Sequence, residues 1–256
     1  MRFERTAGGL TSRVSCTPGL ELRGPFPGPS SSGVSFASWP SYFLRNVTAG
    51  MLDGDCYEID VRVGRGVAVR VSPTSATRVF VAREHGATMR VRIEVEPGGL
   101  LDYDAGLTIP HVGAIGEQIT EIVVHPGARL AYSDSLSFGR IASGERFAFT
   151  RLTSDLRVHT PEGRVLLSRR SVLEPPTHRV LLEAACGGAN ALGSLLLIGS
   201  GEGATPEQTL DTHAGVSQLP HDLGAQAQVL AARAEQIPPI LAPLRLKWLA
   251  LPGGAS

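Results

Sequence analysis

The chain has 256 residues, 42% of them apolar and 19% charged, and its 24 basic side chains balance 24 acidic ones. That is enough apolar chain for one large core. The zero net charge argues against a nucleic-acid binder or a polybasic membrane-surface protein, since both need a net positive field. All-β chains commonly reach this length as one unit, so a single domain over residues 1–256 is expected. In chain order, GPFPGPSSSG (24–33) is rich in turn formers and reads as a loop. From residue 57 the pattern alternates: Tyr57, Ile59, Val61 and Val63 are apolar, with Glu58, Asp60 and Arg62 between them. That is the period of a strand with one buried face. VAVRV (67–71) follows a GRG turn, and MRVRIEV (89–95) alternates again, as do ITEIVV, ARLAY, RFAFTRL, LRVHT and RVLLS further on.

Three stretches share a plan: VRVGRGVAVRVSPTSAT, IEVEPGGLLDYDAGLTIP and IVVHPGARLAYSDSLSFG. Each reads as strand, turn ending in glycine, strand, then a polar segment. The turn glycines Gly66, Gly98 and Gly127 lie 32 and 29 residues apart, a period that predicts stacked units sharing one core. The last third changes character. THRVLLEAACGGANALGSLLLIG combines a short helix with a buried strand, Thr205-Pro206-Glu207-Gln208 resembles a helix start, and HDLGAQAQVLAARAEQ (221–236) has helical composition ended by Pro238 and Pro239. The expected fold is mainly β, with stacked strand-turn units forming a β-solenoid-like or layered body. About two C-terminal helices complete it, in a helical part at about 205–240.

The chemistry-bearing residues are sparse. Cys16, Cys56 and Cys186 show no paired spacing and read as reduced thiols. MRFERTAGGL lacks the apolar stretch of a signal peptide. The apolar run in ALGSLLLIG falls far short of the roughly 20 residues a membrane span needs. A cytoplasmic location follows, with no membrane partner. GSGEG has the wrong spacing for a dinucleotide fingerprint, the single lysine, Lys247, precedes Trp248, and no nucleophile elbow is present. The seven histidines show no metal-binding spacing, so no metal ligand set is assigned. Asp53, Asp55, Asp102, Asp104, Asp134 and Glu145 recur at comparable places in successive units. They could line a shared channel that hard or borderline cations tolerate, or serve turns, where aspartate beside glycine is favoured. Paired acids also allow a polysaccharide-processing enzyme on a β-solenoid, although 14 aromatic residues are few for a sugar-stacking groove. A generic binding module on the same fold is the third reading.

Taken together, TAGMLDGDCYEIDVRVGRGVAVRVSPTSATRVF, the unit around VEPGG, and HPGARLAYSDSLSFGRIASGERFAF resemble the UreD (UreH) family of urease accessory proteins. The similarity is clearest over residues 45–175. Gly50, Gly54, Asp55, Thr74, Ala76 and Thr77 match its first motif, and Pro110 with Gln118 its middle one. Tyr132, Asp134, Gly139, Arg140, Ser143, Gly144, Glu145 and Arg146 match its last, and LLSRRSVLEP follows with Arg170 in register. Ala49 and Asp53 replace glycines of the family pattern. His111, Ile115, Glu117 and Ile119 stand where an aromatic residue and arginines are usual, and Arg169 where an acid is common.

The resemblance implies a scaffold and not an enzyme. Such a protein binds the urease apoenzyme and, with UreF and the GTPase UreG, helps nickel reach the buried active site along a water-filled tunnel. No cofactor would be held tightly, and nickel would be in transit. The candidate tunnel or partner-contact residues are Asp55, Asp134, Arg140, Glu145, Arg146 and Arg170. The glycines Gly50, Gly54, Gly66, Gly98, Gly127 and Gly144 are assigned to structural turns.

Overall fold

The computed structural model describes residues 1–6, 9–13, 15, 19–27, 39–199 and 213–250. Its chain begins with β1 (Arg2–Thr6), β2 (Gly9–Arg13), β3 (Leu20–Phe26) and β4 (Ser41–Asn46). The repeated body follows as β5 (Cys56–Val63), β6 (Ala68–Pro73), β7 (Thr77–Val79), β8 (Ala87–Val95), β9 (Leu100–Pro110), β10 (Ile115–Val124) and β11 (Arg129–Ser137). A short hairpin of β12 (Gly139–Arg140) and β13 (Glu145–Arg146) leads to β14 (Arg151–His159) and β15 (Val165–Leu173). Helix α1 (Pro175–Cys186), β16 (Ala191–Ile198), β17 (Ala214–Gln218), β18 (Gly224–Ala231) and helix α2 (Ile237–Ala250) complete the described chain.

Two sheets face each other. The first runs β15-β14-β10-β8-β5-β1-β2, and the second runs β17-β18-β16-β11-β9-β6-β4-β3, with β7 pairing to β9. Within them β5, β8, β10 and β14 are parallel neighbours, as are β4, β6, β9 and β11. Each repeated unit therefore starts in the first sheet, turns at its glycine and crosses to the second. The turns stack. Gly66 donates its N–H to the Pro97 carbonyl at 3.3 Å, and Gly98 donates to Gly127 at 3.2 Å. All three glycines have left-handed φ, at 65°, 69° and 74°, which a side chain would strain. A Cβ on Gly98 would lie 3.7 Å from the Gly66 nitrogen. The repeat in the sequence is thus a physical stack.

Burial follows the alternation. In β5 the residues are exposed and buried in strict turn, and its Ile59, Val61 and Val63 join Val91, Ile93, Val95, Leu101, Leu130 and Ile122 between the sheets. Full burial of each such side chain contributes about 1.5–3 kcal/mol. On the outward face of the first sheet Asp60 lies beside Arg92, then Glu121, then Arg157 in successive strands. These cross-strand charges form a solvated, balanced surface.

The C-terminal expectations need correction in detail. The two helices exist, but residues 224–231 form strand β18 and no helix. Ala225, Ala227, Val229 and Ala231 are buried while Gln226 and Gln228 alternate with them, and β16 supplies hydrogen-bond partners along the whole strand. A two-residue period next to an unpaired sheet edge outweighs alanine's helix preference. Pro238 and Pro239 do not end a helix; they lie in the first turn of α2, where their missing N–H groups cost nothing. The short helix and buried strand expected across 177–199 are α1 and β16. RFAFTRL is not a continuous strand, because Phe147 takes a left-handed φ of 53° and the chain bends so that Phe147 stacks on Phe138. Of the expected loop at 24–33, Gly24–Phe26 finish β3, while residues 28–33 lie outside the described residues. So do Cys16 and the expected helix start at Thr205. Cys56 and Cys186 are free thiols. No described helix is long and apolar enough to cross a membrane.

Candidate functional site

The sheets enclose a cavity of about 160 Å³ beyond the last layer of the apolar core. A tyrosine pair lies beneath Gln118, one of its lining residues. Tyr103 and Tyr132 are fully buried and stacked, with ring centroids 5.8 Å apart. The Tyr132 hydroxyl accepts from Gln118 Nε2 at 3.0 Å and lies 3.4 Å from Thr120 Oγ1. Burial pushes both phenols above their ordinary pKa, so they remain neutral donors. Above them Met89, Gln118 and Thr153 from the first sheet face Asp134, Ser194 and Gln228 from the second.

Asp134 is the carboxylate inside. It pairs in register with Ser194 of β16, whose hydroxyl hydrogen-bonds to it. Arg169 reaches from β15 across to the same pair. Its Nη1 donates to Ser194 Oγ at 3.0 Å, and its Nη2 lies 3.7 Å from Asp134 Oδ2. Burial raises the Asp134 pKa, and the Arg169 charge and the Ser194 hydrogen bond oppose that rise without cancelling it. The cavity therefore offers one part-buried acid, with Glu117 at its rim, among hydroxyl, amide and apolar side chains. Among the described residues no three or more His, Cys, Asp or Glu side chains come together as a metal cluster.

The other sequence-selected acids go elsewhere. Asp55 caps a turn, accepting the Leu52 N–H at 2.8 Å. Asp53, which replaces a family glycine, accepts the N–H groups of Arg83, Glu84, His85 and Gly86 at 2.7–3.1 Å. Those four donors hold its carboxyl far below the usual carboxylate range. Glu145 pairs with Arg140 across the β12–β13 hairpin, Nε to Oε2 at 2.7 Å, and that partner lowers its pKa. Asp104 accepts from Gly106 and from Ser133 Oγ.

Asp102 is wholly buried on the outer side of the second sheet. There it accepts Arg70 Nε and Arg245 Nε, each at 2.6 Å, and so pins α2 down. Arg146 donates to the Ala189 carbonyl and stacks 4.5 Å over the Phe147 ring. Arg170 is exposed and lies opposite Asp155.

The candidate glycines do sit at bends. Gly144 ends a short 3₁₀ turn, Gly54 lies in the Asp53 loop, and a Cβ on Gly50 would press to 2.6 Å from the Arg78 carbonyl. Ala49 is exposed, Ile115 packs against Gly86, and Glu117 lies exposed at the cavity rim. His111 packs edge-on to Phe80 at 4.6 Å, and burial lowers its pKa.

The residue that sequence reasoning placed wrongly in importance is Arg169. In the sequence it stands only as a departure from the family pattern. Strand parity carried the signal: Leu167 packs on the core and Leu173 lines the cavity, so Arg169 and Ser171, two residues apart between them, share the inward face.

The described residues form a stacked two-sheet β body with a small cavity between the sheets. The chain belongs to the UreD urease accessory protein family, whose model matches residues 5–252. It is similar to urease accessory protein UreD 2 of Streptomyces griseus, 31% identical over 86% of this chain and 77% of that protein. It is likewise similar to UreD 2 of Synechococcus sp., 33% identical over 71% and 69%, and to UreD of Haloarcula marismortui, 27% identical over 93% and 80%. Its place is therefore in urease maturation.

Proposed function

We propose that this chain is a non-catalytic scaffold that binds the urease apoenzyme together with UreF and UreG, and that nickel bound for the urease active site passes through its interior cavity. The observation that carries the reading is the Asp134 compartment. A conduit needs oxygen ligands that hold a borderline cation briefly; a cysteine and histidine set would trap it. One carboxylate with hydroxyl and amide neighbours supplies weak, exchangeable contacts. Nucleotide chemistry would belong to UreG, and the cell compartment would be the cytoplasm. Asp55, Arg140, Glu145, Arg146 and Arg170 are then better placed as turn, hairpin or partner-contact residues than as tunnel lining, because none of them lines the cavity.

The test is Asp134→Asn in cells that co-express urease with its maturation proteins. Asparagine keeps the shape and removes the charge. Urease purified from the variant should carry several-fold less nickel, with the scaffold present in normal amount. Wild-type nickel content would show that Asp134 is no part of the path.

A further inference from the structure

Arg169 stands on β15, the edge strand of the first sheet, and both of its contacts are on strands of the second. Its guanidinium therefore bridges the gap between the sheets at the cavity. The bridge is loose. A firm arginine–carboxylate pair is bidentate at about 2.7–2.9 Å, whereas here the separation from Asp134 is 3.7 Å, with the two side chains 26% and 22% exposed. Most of β15 is exposed or half-exposed, so the long Arg169 side chain has open solvent beside it when it leaves the cavity. A fixed positive charge next to Asp134 also opposes any cation approaching the same carboxylate, because the repulsion grows as the local dielectric falls.

We propose that Arg169 is a removable counter-ion that closes the Asp134 compartment to divalent cations. With the guanidinium in place, the carboxylate's charge is matched and the interior is shut to metal. With it swung out past the edge strand, Asp134 becomes a weak oxygen ligand, with the Ser194 hydroxyl and the Gln228 amide in the same cavity. The inference rests on reading the cavity as a passage for metal, and it adds the element that decides when the passage accepts a cation.

The experiment titrates the full chain with Ni²⁺ alone, followed by calorimetry. Arg169→Gln should bind Ni²⁺ about tenfold or more tighter than wild type, as expected when one like charge is removed from a partly buried site. Arg169→Lys should stay at the wild-type level, and adding Asp134→Asn to Arg169→Gln should abolish the gain. Circular dichroism checks that each variant is folded. Arg169→Met, which keeps the apolar stem, serves the same purpose if the glutamine variant does not fold. Equal affinity in wild type and the neutral variants, or a gain that survives Asp134→Asn, would overturn the proposal. Urease activation plays no part in this readout, so a failed titration leaves the maturation role standing. A failed maturation assay leaves the titration interpretable.

Discussion

Asp102→Ala is expected to destabilise the protein by about 3–5 kcal/mol, the range for removing one member of a buried ion pair. Asp102 has no exposed surface, and Arg70 and Arg245 approach it from opposite sides. Without the carboxylate, two guanidinium groups face each other beneath α2 with no counter-charge. Arg245 also donates to Ser133 Oγ at 3.0 Å, and Ser133 in turn to Asp104, so the loss spreads along a hydrogen-bonded chain. One turn further along the helix Arg129 donates to the Trp248 carbonyl and lies 5.6 Å over its ring. The helix should therefore loosen at its centre first. Chemical denaturation should show the lowered midpoint, and hydrogen exchange should show faster exchange in residues 237–250. Replacing Arg245 with methionine should cost less, because Asp102 then keeps Arg70. If Asp102→Ala unfolds at the wild-type midpoint, the cluster does not anchor α2.

The second large effect is expected at Tyr132. Its ring is fully buried in the apolar core, stacked on Tyr103. Tyr132→Ala should cost about 3–5 kcal/mol, as for truncation of other large core aromatics. Tyr132→Phe keeps the stacking and removes only the acceptor for Gln118 Nε2. It should cost about 1–2 kcal/mol, for leaving a part-buried amide short of a partner. The two variants thus separate packing from polarity at one position, and thermal unfolding reads both. A phenylalanine variant as unstable as the alanine variant would mean that the hydroxyl network, and not the ring, holds this layer.

Much of this arrangement was legible because the repeat converts sequence distance into contact. Arg70 and Asp102 are 32 residues apart and lie opposite each other on adjacent strands. Asp104 and Ser133 are 29 apart, and His125 meets Glu94 across 31. Each gap is one turn of the stack, the same period as the turn glycines. Arg245, 143 residues from Asp102, follows no period, and nothing local marked α2 as the cover of the second sheet. Residues 224–231 were misread because Ala and Gln favour helix locally, while the strand form depends on β16, a partner distant in sequence.

The site was legible only in part. Recurrence in matched motifs selected Asp134, which lines the cavity, but it selected Asp55 and Glu145 equally, and these are held by a turn and by Arg140. Carboxylates near glycines serve turns as readily as they line a passage, and only the facing of the strands distinguishes the two. Tyr132 and Asp134 show how both needs fit one motif. Both point inward two residues apart on β11, the first closing the core and the second opening on the cavity.

The most direct measurement is urease activation with and without this chain. Urease subunits and the remaining maturation proteins are co-expressed in nickel-supplemented cells, and the purified enzyme is assayed for bound nickel and for activity. Nickel content and activity should both collapse when the chain is omitted, and both should return when it is restored. Urease that is equally nickel-loaded and equally active in its absence would contradict the assignment of a maturation role to this scaffold.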